Sequence, residues 1–285
     1  MIADAETRNG WHVVARSIDI LPDRPVRVRL LEQDIELSKQ ASGPFEAFLV
    51  NSTRAAGSCR PKLQERYGLI WMCLGDPTGD VLPFPEFHDR RFTTVLCGPY
   101  GVATSALRVV ENFLDMAHLP YVHTGILGQE PHTEVPEYKV ARGTDGEGPI
   151  ATNCLFWQPS PSLGDKSSSY VNYTYRVPRP HTAILTKIAD TPGSSGLTIM
   201  LTVQPVDQER SIAWILYSVQ NATKPETQLR ARQELVFMQD KGILENQLPK
   251  RLPLDAGAEV PIVCDRLSVA YRHYLRERGV TFGAG

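Results

Sequence analysis

The chain has 285 residues, 30 basic against 32 acidic side chains and a net charge of −2, so its bulk charge gives no case for nucleic-acid binding. With 42% hydrophobic and 22% charged residues, it has the composition of a globular protein that buries a substantial core in one large or two modest domains. No apolar run is long enough for a membrane span, and the first residues lack the basic and apolar regions of a secretory signal. Five scattered cysteines (Cys59, Cys73, Cys97, Cys154, Cys264) fit reduced thiols in the cytoplasm better than a disulfide framework.

Trp11–Ala15 reads as a strand, residues 21–25 as a turn, and Val26–Leu30 alternates as a half-buried strand should. Residues 41–62 are weak in pattern and rich in small residues. Strand pattern returns over Tyr67–Leu74 and stops at Gly75-Asp76-Pro77. The connector with Pro83 and Pro85 marks a domain boundary, dividing the chain into 1–82 and 83–285. Residues 92–101 give one more strand, and a helix begins near Ser105. Strands follow at 150–157, 169–177, 182–189, 196–206 and 211–220, rich in Ile, Val, Thr, Tyr and Trp; such a meander favours an antiparallel sheet. Residues 223–247 form a long helix, with Pro225 in its first turn and Pro249 at its end. Residues 265–278 form another, stopped by Gly279.

The chemistry concentrates in Glu111-Asn112-Phe113-Leu114-Asp115-Met116-Ala117-His118-Leu119-Pro120-Tyr121-Val122-His123. Asn112, Asp115 and His118 are three apart and share one side of a helix. Pro120 is expected to stop that helix near Leu119, so that His123 returns from a turn and its imidazole converges with that of His118. On spacing alone, core or surface histidines explain the pair better than metal ligands do. Asp240 carries the long helix's information. Its neighbours Val236, Phe237, Ile243 and Leu244 are apolar, so it faces the core and needs either a cationic partner such as Arg232 or Arg272, or a metal. With His118 and His123 it completes a two-histidine, one-carboxylate set suited to non-haem Fe(II), which leaves positions open for O2 and substrate.

Other residues admit two readings. Trp157, Trp214 and Phe237 line an apolar substrate pocket or are plain core. Trp11 and His12 read as packing. His132 sits at a pocket mouth or on a solvated loop, and His181 and His273 are surface or satisfied core. Lys250 and Arg251 with Arg272 form a partner-binding patch or a solvated face.

The stretches WHVVARS, PVRVRLL, QERYGLIWMCLGDP, ENFLDMAHLPYVH, FMQDKGILENQ and DRLSVAYRHYL, in that order, resemble the Rieske non-haem iron oxygenases, in particular oxygenase subunits of the vanillate O-demethylase and phenylpropionate dioxygenase-like type. The resemblance implies an α+β fold: an N-terminal Rieske-like β region followed by a helix-grip catalytic domain, an antiparallel sheet wrapped round a long helix. It implies His118, His123 and Asp240 as ligands of a mononuclear Fe(II). Asp115 would be the acid linking a ligating histidine to the electron donor across a subunit interface, and Asn112 a residue close behind the ligands. It further implies hydroxylation or O-demethylation of an aromatic or other hydrophobic small molecule by O2. NAD(P)H would supply electrons through a ferredoxin or reductase partner, and the assembly would be a homotrimer or mixed trimer.

The sequence departs from this family in one respect. The [2Fe–2S] cluster of the family is held by Cys-x-His and Cys-x-x-His motifs, and no cysteine here has a histidine within three residues. Where the cluster loops belong, between Ala47 and Gln64, Cys59 is the only cysteine. The cluster-binding residues are therefore expected to be absent, with the electrons coming from a separate Rieske centre. The alternative is a catalytically inactive or regulatory helix-grip subunit derived from such an oxygenase.

Overall fold

Six short strands come first. In this computed structural model, which describes residues 3–40, 43–50, 60–161, 168–187, 196–255 and 257–285, they are β1 (His12–Arg16), β2 (Val26–Leu30), β3 (Gln33–Lys39), β4 (Phe45–Leu49), β5 (Lys62–Arg66) and β6 (Leu69–Cys73). They pair antiparallel as β1-β6-β5 and β2-β3-β4. Alternate residues close a small core of Val14, Ile20, Leu30, Ile35, Leu37, Ile70 and Met72, into which Phe282 inserts from the other end of the chain. Asp4 ties the two ends together. Its Oδ1 accepts the Thr7 amide (2.7 Å) and caps the one-turn helix α1 (Ala5–Arg8), while its Oδ2 accepts the amides of Thr281 (2.8 Å) and Phe282 (3.0 Å).

Two of these strands lack a readable pattern. β5 is the polar run Lys-Leu-Gln-Glu-Arg, and the single strand expected over 67–74 is the second arm of a hairpin with it. Tyr67 (φ 60°) and Gly68 (φ 70°) form the two-residue turn, a left-handed pair that suits the twist of antiparallel strands. β4 sits in the stretch of weak pattern. Cys59 lies outside the described residues.

The meander builds one seven-stranded antiparallel sheet. Its strands are β7 (Phe92–Val102), β8 (Lys139–Arg142), β9 (Pro149–Gln158), β10 (Ser169–Arg179), β11 (Thr182–Lys187), β12 (Leu197–Pro205) and β13 (Ser211–Gln220), ordered β7-β13-β12-β11-β10-β9-β8. Both faces of its middle are buried, and strand parity sorts the side chains. Ile199, Leu201, Ile215 and Tyr217 point to the helices. Ile184, Met200, Trp214 and Leu216 point the other way, onto Val13, Trp71 and Phe84 of the N-terminal region. The inner face is covered by α2 (Ala106–Leu114) and α4 (Glu226–Leu244), the second of which lies against β7 and β13; α3 (Leu119–Val122) and α5 (Arg266–Glu277) complete the helices. A long helix gripped by a curved antiparallel sheet is the architecture the resemblance implies.

His12 and His181 meet where the N-terminal strands join this sheet. Their rings lie edge to face, with centroids 5.2 Å apart. His12 Nε2–H donates to the Thr7 carbonyl (2.8 Å), but His12 Nδ1 and His181 Nε2 have no partner among the described residues. His181 is therefore neither the surface residue nor the satisfied core residue expected: it is buried, with one ring nitrogen unpaired among the described residues. Burial pushes His12 down to about 4; burial and the neighbouring His12 push His181 down to about 3. Both are neutral in the folded protein, whereas an unfolded histidine titrates near 6.5. Below that pH the unfolded chain binds more protons, so this contribution to stability is complete above pH 6.5 and is lost as pH falls toward 4. Urea unfolding is expected to show stability falling between pH 6.5 and 5 by up to ~1.4 kcal/mol per pH unit for each histidine. The double variant His12→Gln/His181→Gln is expected to lose that part of the slope; equal slopes in variant and parent would contradict the assignment.

Candidate metal centre

The motif helix is fixed from both ends before it presents any ligand. Ser105 caps α2 by accepting the Arg108 amide (3.3 Å). The fully buried Arg108 guanidinium bonds Glu111 (3.2 Å) and Glu259 (2.6 Å), and Arg272 of α5 bonds Glu111 (2.5 Å) and Glu259. Two cations and two carboxylates thus satisfy each other and clamp α2 to α5. Arg272 is consequently neither the partner of Asp240 nor part of an exposed basic patch with Lys250 and Arg251. Arg232, the other cation considered for Asp240, instead donates to the Ser160 carbonyl (2.9 Å).

The local path differs from the expected one. α2 stops at Leu114, and Asp115 is extended (φ −73°, ψ 128°), so Asn112, Asp115 and His118 do not share one helical face. Asp115 turns back to accept the Ala117 amide (2.8 Å). Pro120 lies in the first turn of α3, where its missing N–H costs nothing. It starts a new helix rather than ending the old one. His118 and His123 flank this single turn, which brings their rings together, with centroids 5.1 Å apart.

Asp240 meets them from α4. His118 Nε2 and His123 Nε2 are 3.2 Å apart, and Asp240 Oδ1 lies 3.3 Å from the first and 3.0 Å from the second. His123 Nδ1–H donates to Gln239 Oε1 (2.9 Å), which leaves the Nε2 lone pair directed into the cluster. His118 Nδ1 faces Asp115 Oδ2 at 3.4 Å. Burial alone would lower the His118 pKa, but Asp115 and Asp240 outweigh it and push it up to about 9. Burial would raise the Asp240 pKa, but the two imidazoles prevail and hold it below the usual carboxylate value. Three such polar atoms this close need a proton or a cation among them. A proton on His118 meets that demand without metal, and a divalent cation would meet it with all three atoms as donors. Two nitrogens and a carboxylate oxygen suit non-haem iron. Buried Asp240 Oδ1, with no hydrogen-bond partner among the described residues, is the atom such an ion would satisfy.

A cavity opens beside this cluster, between α4 and the inner face of the sheet. Near the cluster its wall is apolar, with Leu119, Leu185, Ile199, Val236 and Phe237, and Asn112 also lines it. Of the three aromatic candidates, only Phe237 borders the cavity, stacked on Tyr100 at 4.5 Å. Trp157 and Trp214 have the wrong strand parity. Trp157 stacks on the exposed His132 (4.2 Å), and Trp214 Nε1–H donates to Gln204 on the outer face (3.2 Å). On the opposite side, a surface groove reaches Asn112, Asp115 and His118.

Residues 102–279 match the vanillate O-demethylase oxygenase C-terminal domain. Over 275 residues the chain is 41% identical to the probable methylxanthine N7-demethylase NdmC of Pseudomonas sp. (strain TJI-51), across 96% of this chain and 95% of that protein. The chain belongs to the Rieske-type oxygenase alpha subunits. As a member of this family it is an enzyme of the oxygenase class. It is also 30% identical to the methylxanthine N1-demethylase NdmA of Pseudomonas putida, over 75% of this chain but only 59% of that protein. The structure of NdmA with caffeine superposes with a TM-score of 0.76 at 22% identity, over 95% of this chain and 90% of that one. Dicamba monooxygenase bound to dicamba superposes with a TM-score of 0.71 at 19% identity, over 95% and 97%. Both likenesses carry the fold. No helix among the described residues is long and apolar enough to cross a membrane.

Gln239 carries no signal in periodicity or charge, being a neutral residue on the same helix as Asp240. A glutamine directly before a candidate ligand on the same helix was the available signal. If it sets the tautomer of His123, Gln239→Leu is expected to weaken Fe(II) or Co(II) binding about 10–100-fold in chelator competition, with the fold retained. Unchanged affinity would remove Gln239 from the site.

Proposed function

We propose that this chain is the oxygenase component of an O2-dependent N-demethylase of methylated purinediones, working at a mononuclear Fe(II) held by His118, His123 and Asp240. The observation that carries the reading is the meeting of three donor atoms within 3.3 Å of one another at the end of an apolar cavity. The match to NdmC along almost the whole of both chains supports the substrate class. When bound, iron would supply the activation of O2. The balanced reaction joins an N-methyl group, O2, two electrons and two protons to give N–H, formaldehyde and water.

The chain's own residues have distinct tasks. Leu119, Val236 and Phe237 keep water away and hold the flat substrate beside the ligands. Gln239 holds the proton on His123 Nδ1 so that Nε2 is free to bind metal. Asp115, 36% exposed at its side chain, lies between His118 and the outer groove. That placement supports it as the route by which electrons reach the site from outside.

The electron donor is assigned to a separate Rieske protein fed by an NAD(P)H-dependent reductase. Neither cluster-binding motif occurs in this sequence. The match to NdmC spans 96% of this chain and 95% of that protein. The groove in front of Asp115 is bordered by Val260, and Val263 lies close by in sequence; they are 90% and 79% exposed, the kind of apolar surface a partner covers.

The test is reconstitution of Fe(II)-loaded protein with a reductase and a Rieske protein, using 7-methylxanthine and following formaldehyde. Release of formaldehyde that requires the Rieske protein is the expected result. Asp115→Asn is expected to keep its iron and lower this turnover at least about 100-fold, as removal of a group needed for the reaction does. Full activity in Asp115→Asn would exclude its part in electron delivery. Absence of turnover with every Rieske donor and every methylxanthine would favour the subunit without catalysis.

A further inference from the structure

The cavity is apolar beside the candidate ligands but polar at its other end. Gln233 lies seven residues before Asp240 on the inward face of α4, about 10 Å along the helix axis, a distance that fits a fused two-ring ligand with its methyl group toward the metal. On the sheet side of the same cavity, Tyr173 of β10 and Lys187 of β11 are cross-strand partners, one row farther along than Tyr175 and Leu185. The nearer row is marked by Tyr175, whose ring meets Phe113 of the motif helix. Gln158, the last residue of β9, has the same parity as Phe156 and so faces inward.

Gln158 is 1% exposed and lines the cavity. Its Nε2 donates to the Tyr173 hydroxyl oxygen (2.8 Å), while its Oε1 has no partner among the described residues. Leaving a buried amide oxygen unpaired is costly unless a ligand pairs it. Tyr173 already accepts from Gln158, and its own O–H has no acceptor among the described residues, so the proton can point into the cavity. The couple therefore presents an acceptor and a donor side by side. That pattern complements a ring N–H next to a ring C=O. Arg232 lies at the same end and adds positive potential, which suits carbonyl oxygen.

We propose that Gln158 and Tyr173 read the lactam edge of the substrate, Gln158 Oε1 accepting a ring N–H and Tyr173 O–H donating to the adjacent carbonyl. This rests on the methylxanthine reading above and sharpens it. The preferred ligand carries an unmethylated ring nitrogen at the edge remote from the metal. A ligand methylated there leaves Gln158 Oε1 unpaired and adds a methyl group against it. An acceptor-only carboxylate, as on vanillate, would face that oxygen with like polarity.

The test is calorimetric binding to the purified full chain, with 7-methylxanthine, caffeine and vanillate as probes. Neither variant alters a candidate metal ligand, and the measurement needs no turnover. The parent is expected to bind 7-methylxanthine, which has ring N–H groups, about tenfold or more tighter than caffeine, which has none, with vanillate weakest. Gln158→Met preserves volume and removes the acceptor; the preference is expected to shrink to within about twofold. Tyr173→Phe removes only the donor. It is expected to weaken both purines while keeping most of the preference, and it serves should the methionine variant fail to fold. Equal binding of the two purines by the parent, or an undiminished preference in Gln158→Met, would overturn the proposal and leave the methylxanthine reading standing. Tighter binding of vanillate than of either purine, or no binding of purines, would overturn both.

Discussion

Everything at the candidate centre follows from one electrostatic constraint. Three atoms that each carry a lone pair are pressed to 3.0–3.3 Å of one another by elements from distant parts of the sequence. Such an arrangement is repulsive unless a proton or a cation lies among the three atoms. Burial lowers the His118 pKa, but Asp115 and Asp240 on either side of it prevail and push it up to about 9. A divalent cation in place of that proton would take the same three atoms as donors. What keeps them from relaxing apart is the surrounding packing. Arg108, Glu111, Glu259 and Arg272 lock the motif helix to α5, and α4 is gripped by the sheet.

The sheet does two jobs because strand parity divides them. In β12 and β13, residues of one parity line the cavity and their neighbours pack onto the N-terminal sheets. The N-terminal region therefore retains a structural role, backing the sheet that shapes the cavity, although the sequence has no cysteine–histidine motif for a cluster. Phe282 in its core and Asp4 on the chain's last turn tie both ends of the molecule to that arrangement.

Much of this was legible before the structure. Asp240 stood out because a carboxylate among Val236, Phe237, Ile243 and Leu244 had to be compensated inside the fold, and the alternating meander pointed to a single antiparallel sheet. Other features were hidden for identifiable reasons. Asp115 looked helical because three-residue spacing does not reveal where a helix stops, and Pro120 is equally compatible with ending one helix or opening the next. β5 carries no apolar alternation. Composition leaves Trp214 and Trp157 open between cavity and core, and register and parity send both to the outer face, Trp214 into the core there. Gln158 and Gln239 are neutral side chains whose contacts come from partners far away in sequence, or across the sheet: Tyr173 in one case and His123 in the other.

The most direct measurement is diffraction from Fe(II)-loaded crystals with anomalous data collected at the iron edge. The account predicts one strong peak bonded to His118 Nε2, His123 Nε2 and an oxygen of Asp240, at about 2.0–2.2 Å by analogy with other first-row ions. A peak at other residues, or none in protein shown to contain stoichiometric iron, would contradict it.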